Sequence, residues 1–441
     1  MASQEAMSAI AVQKPKKKDA NFPQIGDEAT PHSAYGYFDN DAREFVITDP
    51  RTPTKWVNYI GSLEFGGIVD QTGGALLCAG DPGLNRITKY IPQLPASDFR
   101  GTTLYLRIRG NHGFEVLTPF FTPGLEMPDE YRCHVGLGYQ RIVTVMKGIR
   151  VEVTIFVPHG EPVEVRDIQV TNERATSVEV DVIPVVEYSH FDALKQLANA
   201  DWVPQTMMSE AEATLDGRTL LYQYPFMRKN GEPNFFSASR AVDSFETDRH
   251  RFLGSNDYGT WSSPESLQEE SLSNYEARRG DNIGALLISL GRLETGATEQ
   301  VSTFLGQSDR EKIASLTEKY SQHDAVLQAL AEMGEFWENY LSVFQCQTPD
   351  ADFDAMVNVH NPRQCLMTMN WSRYLSLYQL GIGTRGLGMR DSSQDVLGGM
   401  SGAPETAKEL MRKLLSIQLE DGSAMHQFYP ATMHADHGDA E

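Results

Sequence analysis

Hydrophobic and polar positions alternate along much of the chain from residue 35 to about residue 303. In GIRVEVTIFVP (148–158), Val151, Val153, Ile155 and Val157 alternate with Glu152, Thr154 and Phe156. A period of two, carried by β-branched residues and stopped by Pro158, predicts a strand. PVEVRDIQVTN repeats the pattern at Val163, Val165, Ile168 and Val170. SVEVDVIPVVEY repeats it at Val178, Val180 and Val182. Short polar turns separate the runs, and none leads into a long helical pattern. One solvated and one core face per strand suits antiparallel sheets packed as a sandwich and argues against a parallel βαβ sheet.

Near Ser308 the period changes. Within 309–344 an apolar line runs through Ile313, Leu316 and Tyr320, then through Val326, Leu330, Met333, Trp337 and Leu341. These spacings follow one helical face, with strong helix formers between them. Two helices are expected, broken near 321–324, bridging a β domain to a helical one. A second helical region begins near Asp352, where Leu366, Trp371, Tyr374 and Tyr378 approximate one face. APETAKELMRKLLSIQLEDG is a clearer helix, with Pro404 near its start and Gly422 just past its end. Ala407, Leu410, Met411, Leu414 and Ile417 make its buried stripe. No strand pattern follows Phe344, so the last third is expected to be all-helical. Either this helical domain is small, or it needs further chain to close.

Composition narrows the class. Of 441 residues, 40% are apolar and 22% charged, which is a globular balance with material for large cores. The length corresponds to roughly two to four domains. A net charge of −22 gives no surplus for neutralising phosphates, so nucleic acid is not an expected partner. The four cysteines, Cys78, Cys133, Cys346 and Cys365, form no close pair and no metal-binding C-x-x-C. Unpaired thiols fit a reducing compartment. Residues 1–30 read as a flexible tail. Its basic KPKKKDA precedes no apolar run, so no signal peptide is expected. No apolar run approaches the roughly 18 residues of a membrane span. A cytoplasmic protein without membrane contact is expected.

The chemistry concentrates in GIGTRGLGMRDSSQD (381–395). Arg385, Arg390, Asp391 and Asp395 stand there among glycines. Glycine lets backbone approach a ligand closely. Arginine offers a fork to carboxylate or phosphate, and an ionised aspartate accepts bonds from vicinal hydroxyls. Such a loop can grip a polyol and an oxyanion together. It can equally be a surface loop with internal Arg–Asp pairs. Arg373 of MNWSR leaves an apolar stretch, as an anion ligand or as a solvated helix end. DGSAMHQFYP, with Asp421, His426, Gln427 and Tyr429, could wall a polar cleft, although a lone histidine is more often structural. His434, Asp436, His437 and Asp439 have no predicted helix or strand beneath them, and no metal is expected. HVGLGY (134–139) reads as a turn, and Trp56 and Tyr59 read as core. No dinucleotide or Walker motif and no serine elbow is present.

At these residues the sequence resembles the inverting β-glucoside phosphorylases of glycoside hydrolase family 94, the cellobiose phosphorylase group. The stretches that carry the likeness are YGYFDNDAREFVITDPRTPTKWVNYIG, LNRITKY, YRCHVGLGYQRI, VEVTIFVP, NWSRYLSLYQLGIGTRGLGMRDSSQDVLG and QLEDGSAMHQFYP, spread over 35–430. The resemblance implies a β-sandwich, a helical linker, an (α/α)6 barrel and a small C-terminal β domain, usually in a homodimer. The fold class expected is thus β plus α multidomain. The flexible tail spans 1–30, the antiparallel β-sandwich 31–305 and the helical linker 306–348. The start of an incomplete barrel spans 349–441.

The implied reaction is reversible phosphorolysis of a β-linked glucosyl disaccharide to α-glucose 1-phosphate, with inversion. Inorganic phosphate is the co-substrate and no other cofactor is implied. One carboxylic acid protonates the leaving oxygen while phosphate attacks the opposite face. By position, Arg373 corresponds to the phosphate-binding arginine, and Arg385 and Asp391 to ligands of the transferred glucosyl unit. Arg390 and Asp395 would orient the loop. Thr384 is inserted before Arg385 relative to the usual Gly-Ile-Gly-Arg of the family. The family's acid lies in a downstream Asp-Trp-Asn-Asp motif, which these residues lack. No catalytic residue is therefore assigned, and the chain alone is expected to be inactive. ANADWVPQTMMS lacks the arginine that meets the acceptor in cellobiose enzymes. A cellobiose-like β-1,4 link is favoured, with cellobionic acid, laminaribiose and other β-glucosides open. The competing readings are a non-catalytic carbohydrate-binding or assembly module and an inverting β-glycoside hydrolase.

Overall fold

The computed structural model describes residues 34–91, 101–111, 113–189, 204–228, 231–254, 260–375, 386–429 and 434–436. The tail expected over 1–30 lies outside them. The runs with period two form strands Ile149–Phe156, Val163–Asn172 and Val178–Glu187. The first two are neighbours in a large sheet, with Val151 opposite Val170 and Val153 opposite Ile168. In spatial order that sheet holds Gly36–Asp39, Glu44–Ile47, Glu130–Val135, Tyr139–Met146, Ile149–Phe156, Val163–Asn172, Thr298–Gln307, Asn234–Ala238, Thr219–Pro225 and Met207–Ala213. A smaller sheet holds Ser244–Asp248, Asn282–Leu293, Val178–Glu187, Thr102–Gly110 and Gly113–Leu117. Neighbouring strands in both sheets pair antiparallel.

The sheets stack because each turns an apolar face to the other. Val151, Val153, Ile168 and Val170 of the large sheet share one buried core with Val180, Val182, Val186, Leu286 and Ile288 of the small one. A short helix, α1 (Arg249–Leu253), lies beside the outer face of the small sheet and buries Phe252 with Tyr105 and Ile183. A further sheet of Val57–Gly61, Gly66–Asp70 and Ala75–Cys78 adds Ile60, Val69 and Leu77 to the inter-sheet core.

The outer face of the large sheet is apolar as well. Phe156, Val163, Val165, Tyr222, Phe235 and Phe304 point there and are covered by two helices. These are α2 (Arg310–Ser321) and α3 (His323–Leu341), broken at Gln322 inside the expected interval. Asp309 caps α2 by accepting the Lys312 N–H at 2.9 Å. The predicted stripe residues Ile313, Leu316, Tyr320, Val326, Met333, Trp337 and Leu341 are buried, and Leu330 packs partly buried against them. Cover on both faces explains why strand Val163–Asn172 is buried along most of its length, not at alternate positions only.

The same core runs on into the last third of the chain. There α4 (Ala351–Ala355), a π-helical turn at Met356–His360 and α5 (Asn361–Trp371) follow one another without a break. Then come α6 (Met389–Gly399) and α7 (Pro404–Leu415). Leu366 and Trp371 are buried and Tyr374 is half-buried, whereas Tyr378 lies outside the described residues. In α7, Ala407 and Leu414 are buried, as is Ile417 beyond it; Leu410 is half-buried, and Met411 is 47% exposed, against expectation. Among the described residues nothing packs over that flank. The helix ends at Leu415, so Gly422 serves a later turn with φ +87°.

The expectation of an all-helical last third is corrected. Leu387–Gly388, Gln427–Tyr429 and His434–Asp436 form an antiparallel three-stranded sheet. Strands of two or three residues are too short to show a period, and their partner strands supply the order. The expectation that no strand underlies His434 and Asp436 fails for the same reason. No helix among the described residues is long and apolar enough to cross a membrane.

A partly buried ion pair helps fasten α3 to the sandwich. His323 Nε2 lies 3.3 Å from the buried Asp167 carboxylate, which also accepts from Gln300 at 2.5 Å and Ser302 at 2.9 Å. The bond to Asp167 raises the His323 pKa above 6.5, against the opposing pull of burial. Burial pushes Asp167 up, but His323, Gln300 and Ser302 together hold it below 3.8. The histidine contribution is complete below its unfolded pKa and lost as pH rises through its folded one. The aspartate contribution is complete above its unfolded pKa and lost as pH falls through its folded one. His323→Gln is expected to cost less than about 1 kcal/mol, because the imidazole is partly solvated. Its melting temperature should fall further below wild type at about pH 5.5 than at about pH 8.5. An equal deficit at both values would remove this pair from the account of stability.

Candidate substrate-binding site

Arg373 stands two residues beyond α5, whose last residue, Trp371, is 1% exposed and packs 5.6 Å from the Tyr59 ring of the sandwich. The Tyr59 hydroxyl donates to the Leu375 carbonyl at 2.9 Å, so the chain on either side of Arg373 is held against the β domain. The other wall is α6. Its approach is pinned where Leu387 pairs with Phe428 and Gly388 with Gln427, and where the Met389 N–H donates to the His426 carbonyl at 3.0 Å. Gly386 is required by this closeness: a Cβ there would sit 2.5 Å from the Phe428 carbonyl oxygen. Further along, a Cβ on Gly399 would meet the Met369 side chain at 2.8 Å, which marks how near α5 and α6 lie.

Asp391 and Asp395 are one helical turn apart on α6 and share a face. Arg373 meets both. Its Nε donates to Asp395 Oδ2 at 2.8 Å and its Nη2 to Asp395 Oδ1 at 3.1 Å, a two-point fork. Its Nη1 lies 3.7 Å from Asp391 Oδ2. Burial is graded: the Asp395 side chain is 8% exposed, Arg373 31% and Asp391 43%. Arg390 is at the rim, 85% exposed, with Nη2 3.8 Å from Asp391 Oδ1. Arg373, Asp391 and Asp395 therefore come together, Arg390 borders them, and Arg385 lies outside the described residues.

This trio carries one positive and two negative charges. The solvent side offers the Asp391 carboxylate as acceptor and Arg373 Nη1 as donor, a combination suited to neighbouring hydroxyls. Much of the guanidinium charge is offset within the protein, so an anion arriving here meets a weaker field than a free arginine would give. The Arg–Asp pairing is internal, while the Asp391 side chain stays 43% exposed.

The flanking candidates divide. Gln427 and Tyr429 lie on the strand beside Leu387–Gly388, joined by a bond from Gln427 Nε2 to the Tyr429 hydroxyl at 3.1 Å. Asp421 is spent on its own turn. It accepts from the Ser423 hydroxyl at 2.5 Å and N–H at 2.9 Å, which lowers its pKa. His426 is exposed and gives its carbonyl to Met389. Trp56 packs against the inter-sheet core. His437 and Asp439 lie outside the described residues, among which no three metal-ligating side chains converge. Sequence reasoning missed Ser392, 1% exposed, whose hydroxyl has no partner next to Asp391. It also missed the direct Arg373–Asp395 fork. The one available signal was the four-residue spacing of the two aspartates.

Comparison with known proteins places this architecture. The model of the glycosyl hydrolase 94 supersandwich domain matches residues 43–323, and that of the glycosyl hydrolase 94 superfamily catalytic domain matches 336–440. The chain belongs to glycoside hydrolase family 94. N,N'-diacetylchitobiose phosphorylase of Vibrio proteolyticus is 28% identical over 401 residues, covering 90% of this chain and 48% of its own. Solabiose phosphorylase of Paenibacillus borealis is 28% identical over 411 residues, covering 91% and 50%. Cellobionic acid phosphorylase of Neurospora crassa is 23% identical over 218 residues, covering 49% and 27%. The chain spans about half the length of the first two phosphorylases.

Gly386→Ala tests how the site is anchored. The added methyl meets backbone, which cannot rotate away, so a loss of about 1–3 kcal/mol is expected on chemical denaturation. An unchanged midpoint would mean that strand Leu387–Gly388 does not pin α6.

Proposed function

We propose that this chain contributes the β-sandwich and part of the substrate grip of a disaccharide phosphorylase. The reaction is reversible phosphorolysis of a β-linked glucosyl disaccharide to α-glucose 1-phosphate, with inversion. The observation that carries the reading is the convergence of Arg373 and Asp391 within a chain of glycoside hydrolase family 94. Asp391 would accept hydrogen bonds from hydroxyls of the transferred glucosyl ring. Arg373, its fork braced by Asp395, would hold its free nitrogen toward phosphate. Arg385 would complete the sugar contacts and Arg390 would steady the rim. Phosphate is the nucleophile, so no base is needed to activate water. The partly offset charge of Arg373 means that a phosphate dianion needs further positive groups around it. No residue of this chain is assigned as the acid that protonates the leaving oxygen.

The finer expectations belong to the same proposal. They are a cellobiose-like β-1,4 substrate or cellobionic acid, inorganic phosphate as co-substrate without another cofactor, a homodimer, and a cytoplasmic location. Four free thiols favour the last. One observation favours a second reading, a sugar-binding module without catalysis: the trio's net negative charge suits a neutral polyol better than a dianion.

The test is consumption of glucose 1-phosphate by the full-length protein with glucose or gluconate as acceptor. Phosphate release that depends on the acceptor is expected. Hydrolysis at one rate with or without phosphate would overturn the phosphorylase reading. Asp391→Asn should lower kcat/KM by about 10- to 100-fold, the size of one or two charge-assisted hydrogen bonds. Calorimetry separates the second reading, which expects glucose to bind and phosphate to give no heat.

A further inference from the structure

A small cavity lies between the two large sheets, and strand Val163–Asn172 brings an ion pair to its wall. Along that strand Glu164 and Arg166 share a face with Ile168 and Val170, which belong to the inter-sheet core. Val163 and Val165 point the other way, toward α2 and α3. In the register with strand Thr298–Gln307, Glu164 stands opposite Leu305 and Arg166 opposite Thr303. These four residues line the cavity, and so do Thr102 and Thr103 of the smaller sheet. Every residue of the wall is buried. About 10 Å³ of the cavity is open to the centre of a water molecule. That is space for one water and too little for a sugar or a phosphate.

The polar groups of this wall are unevenly satisfied. Arg166 Nε donates to Glu164 Oε1, its Nη1 to the Gly73 carbonyl at 3.1 Å, and its Nη2 to the Thr102 hydroxyl at 2.7 Å. The Thr102 hydroxyl donates in turn to the Gly73 carbonyl at 3.0 Å, and the Thr103 hydroxyl to the Thr122 carbonyl at 3.3 Å. A guanidinium carries five N–H donors, and these bonds leave two on Arg166 unused. The Glu164 side chain is 0% exposed, and its Oε2 has no partner. Burial pushes the Glu164 pKa above 4.5, against the pull of Arg166. A lone carboxylate oxygen is costly in a dry interior. Here the residue that carries it and the arginine with spare donors border the same water-sized space.

We propose that this cavity holds one structural water, which donates to Glu164 Oε2 and accepts from Arg166, and so completes a buried ion pair that ties the large sheet to Thr102 of the small one. The second proton of the water has threonine hydroxyl oxygens of the wall as acceptors. Three bonds are what a buried water typically makes. The guanidinium disfavours a cation in the cavity and the carboxylate disfavours an anion, so the pair selects a neutral occupant. No residue of α5 or α6 lines the cavity, and the proposal does not depend on the phosphorylase reading.

The test is a crystal structure of the full-length protein at a resolution that shows waters. One oxygen peak within hydrogen-bonding reach of both Glu164 Oε2 and Arg166 is expected. A cavity without density, or Glu164 Oε2 bonded to a protein group, overturns the proposal. The double variant Glu164→Leu with Arg166→Met removes both charges together, so it leaves no buried ion unpaired. Its crystals should lose the peak. A peak that persists there belongs to the threonines and not to the ion pair, which also overturns the proposal. Where the double variant does not fold, the wild-type crystal decides by itself.

Discussion

The double burial of the ten-stranded sheet is the constraint on which the rest depends. One face meets the smaller sheet and the other meets α2 and α3, so Phe156, Phe235 and Phe304 are withdrawn from water on a side where a simple sandwich would be solvated. Each such side chain contributes about 1.5–3 kcal/mol on burial. The helices are therefore a third layer of the β domain as well as a connection. The same apolar face of α3, through Met333, Trp337 and Tyr340, carries on to the last third of the chain, where Val359, Leu366 and Leu414 join the same core. A site on α5 and α6 inherits its position from the sheet through this layer.

Within that frame the chemistry is set by how one arginine is spent. Two of the three Arg373 nitrogens are committed to Asp395, which is nearly buried, and the third faces Asp391, which is not. The gradient of exposure converts a pair that could be merely structural into a braced donor with an open acceptor beside it. Bracing lowers the entropy lost when a ligand binds, while the second carboxylate limits the pull on anions. Recognition of a neutral ring and recruitment of phosphate therefore make opposing demands on this one side chain.

Legibility of the fold followed element length. Strands of eight to ten residues such as Ile149–Phe156 and Val163–Asn172 declare themselves by alternation, and α2 and α3 by an apolar stripe. Strand Leu387–Gly388, two residues long, has no room for a period and exists through Phe428 and Gln427, some forty positions on. Met411 fits the stripe of α7 by spacing yet lies exposed, because spacing reports a face and not whether anything described covers it. In the site, glycine spacing and paired charge pointed to 373–395, a stretch in which the structure brings Arg373, Asp391 and Asp395 together. The partner of Arg373 was hidden, because Asp395 lies 22 positions away and Asp391 is equally available in sequence.

The joint between the β domain and α5 shows how polar groups are used where the two meet. The Arg363 guanidinium donates to the Asn58 side-chain oxygen, and Asn58 donates in turn to the Gly136 carbonyl at 3.2 Å and the Tyr139 carbonyl at 2.7 Å. Burial lowers the Arg363 pKa, and its partner here is a neutral amide, not a carboxylate. A carboxylate would hold the arginine more strongly, but both charges would then have to be desolvated at the joint. The amide passes the bond on to strand carbonyls and fixes orientation with less charge to bury. Tyr59, one residue beyond Asn58, bonds the chain past α5 with its hydroxyl. Adjacent residues of one strand thus hold both ends of α5, and Arg373 leaves that helix at the end Tyr59 secures.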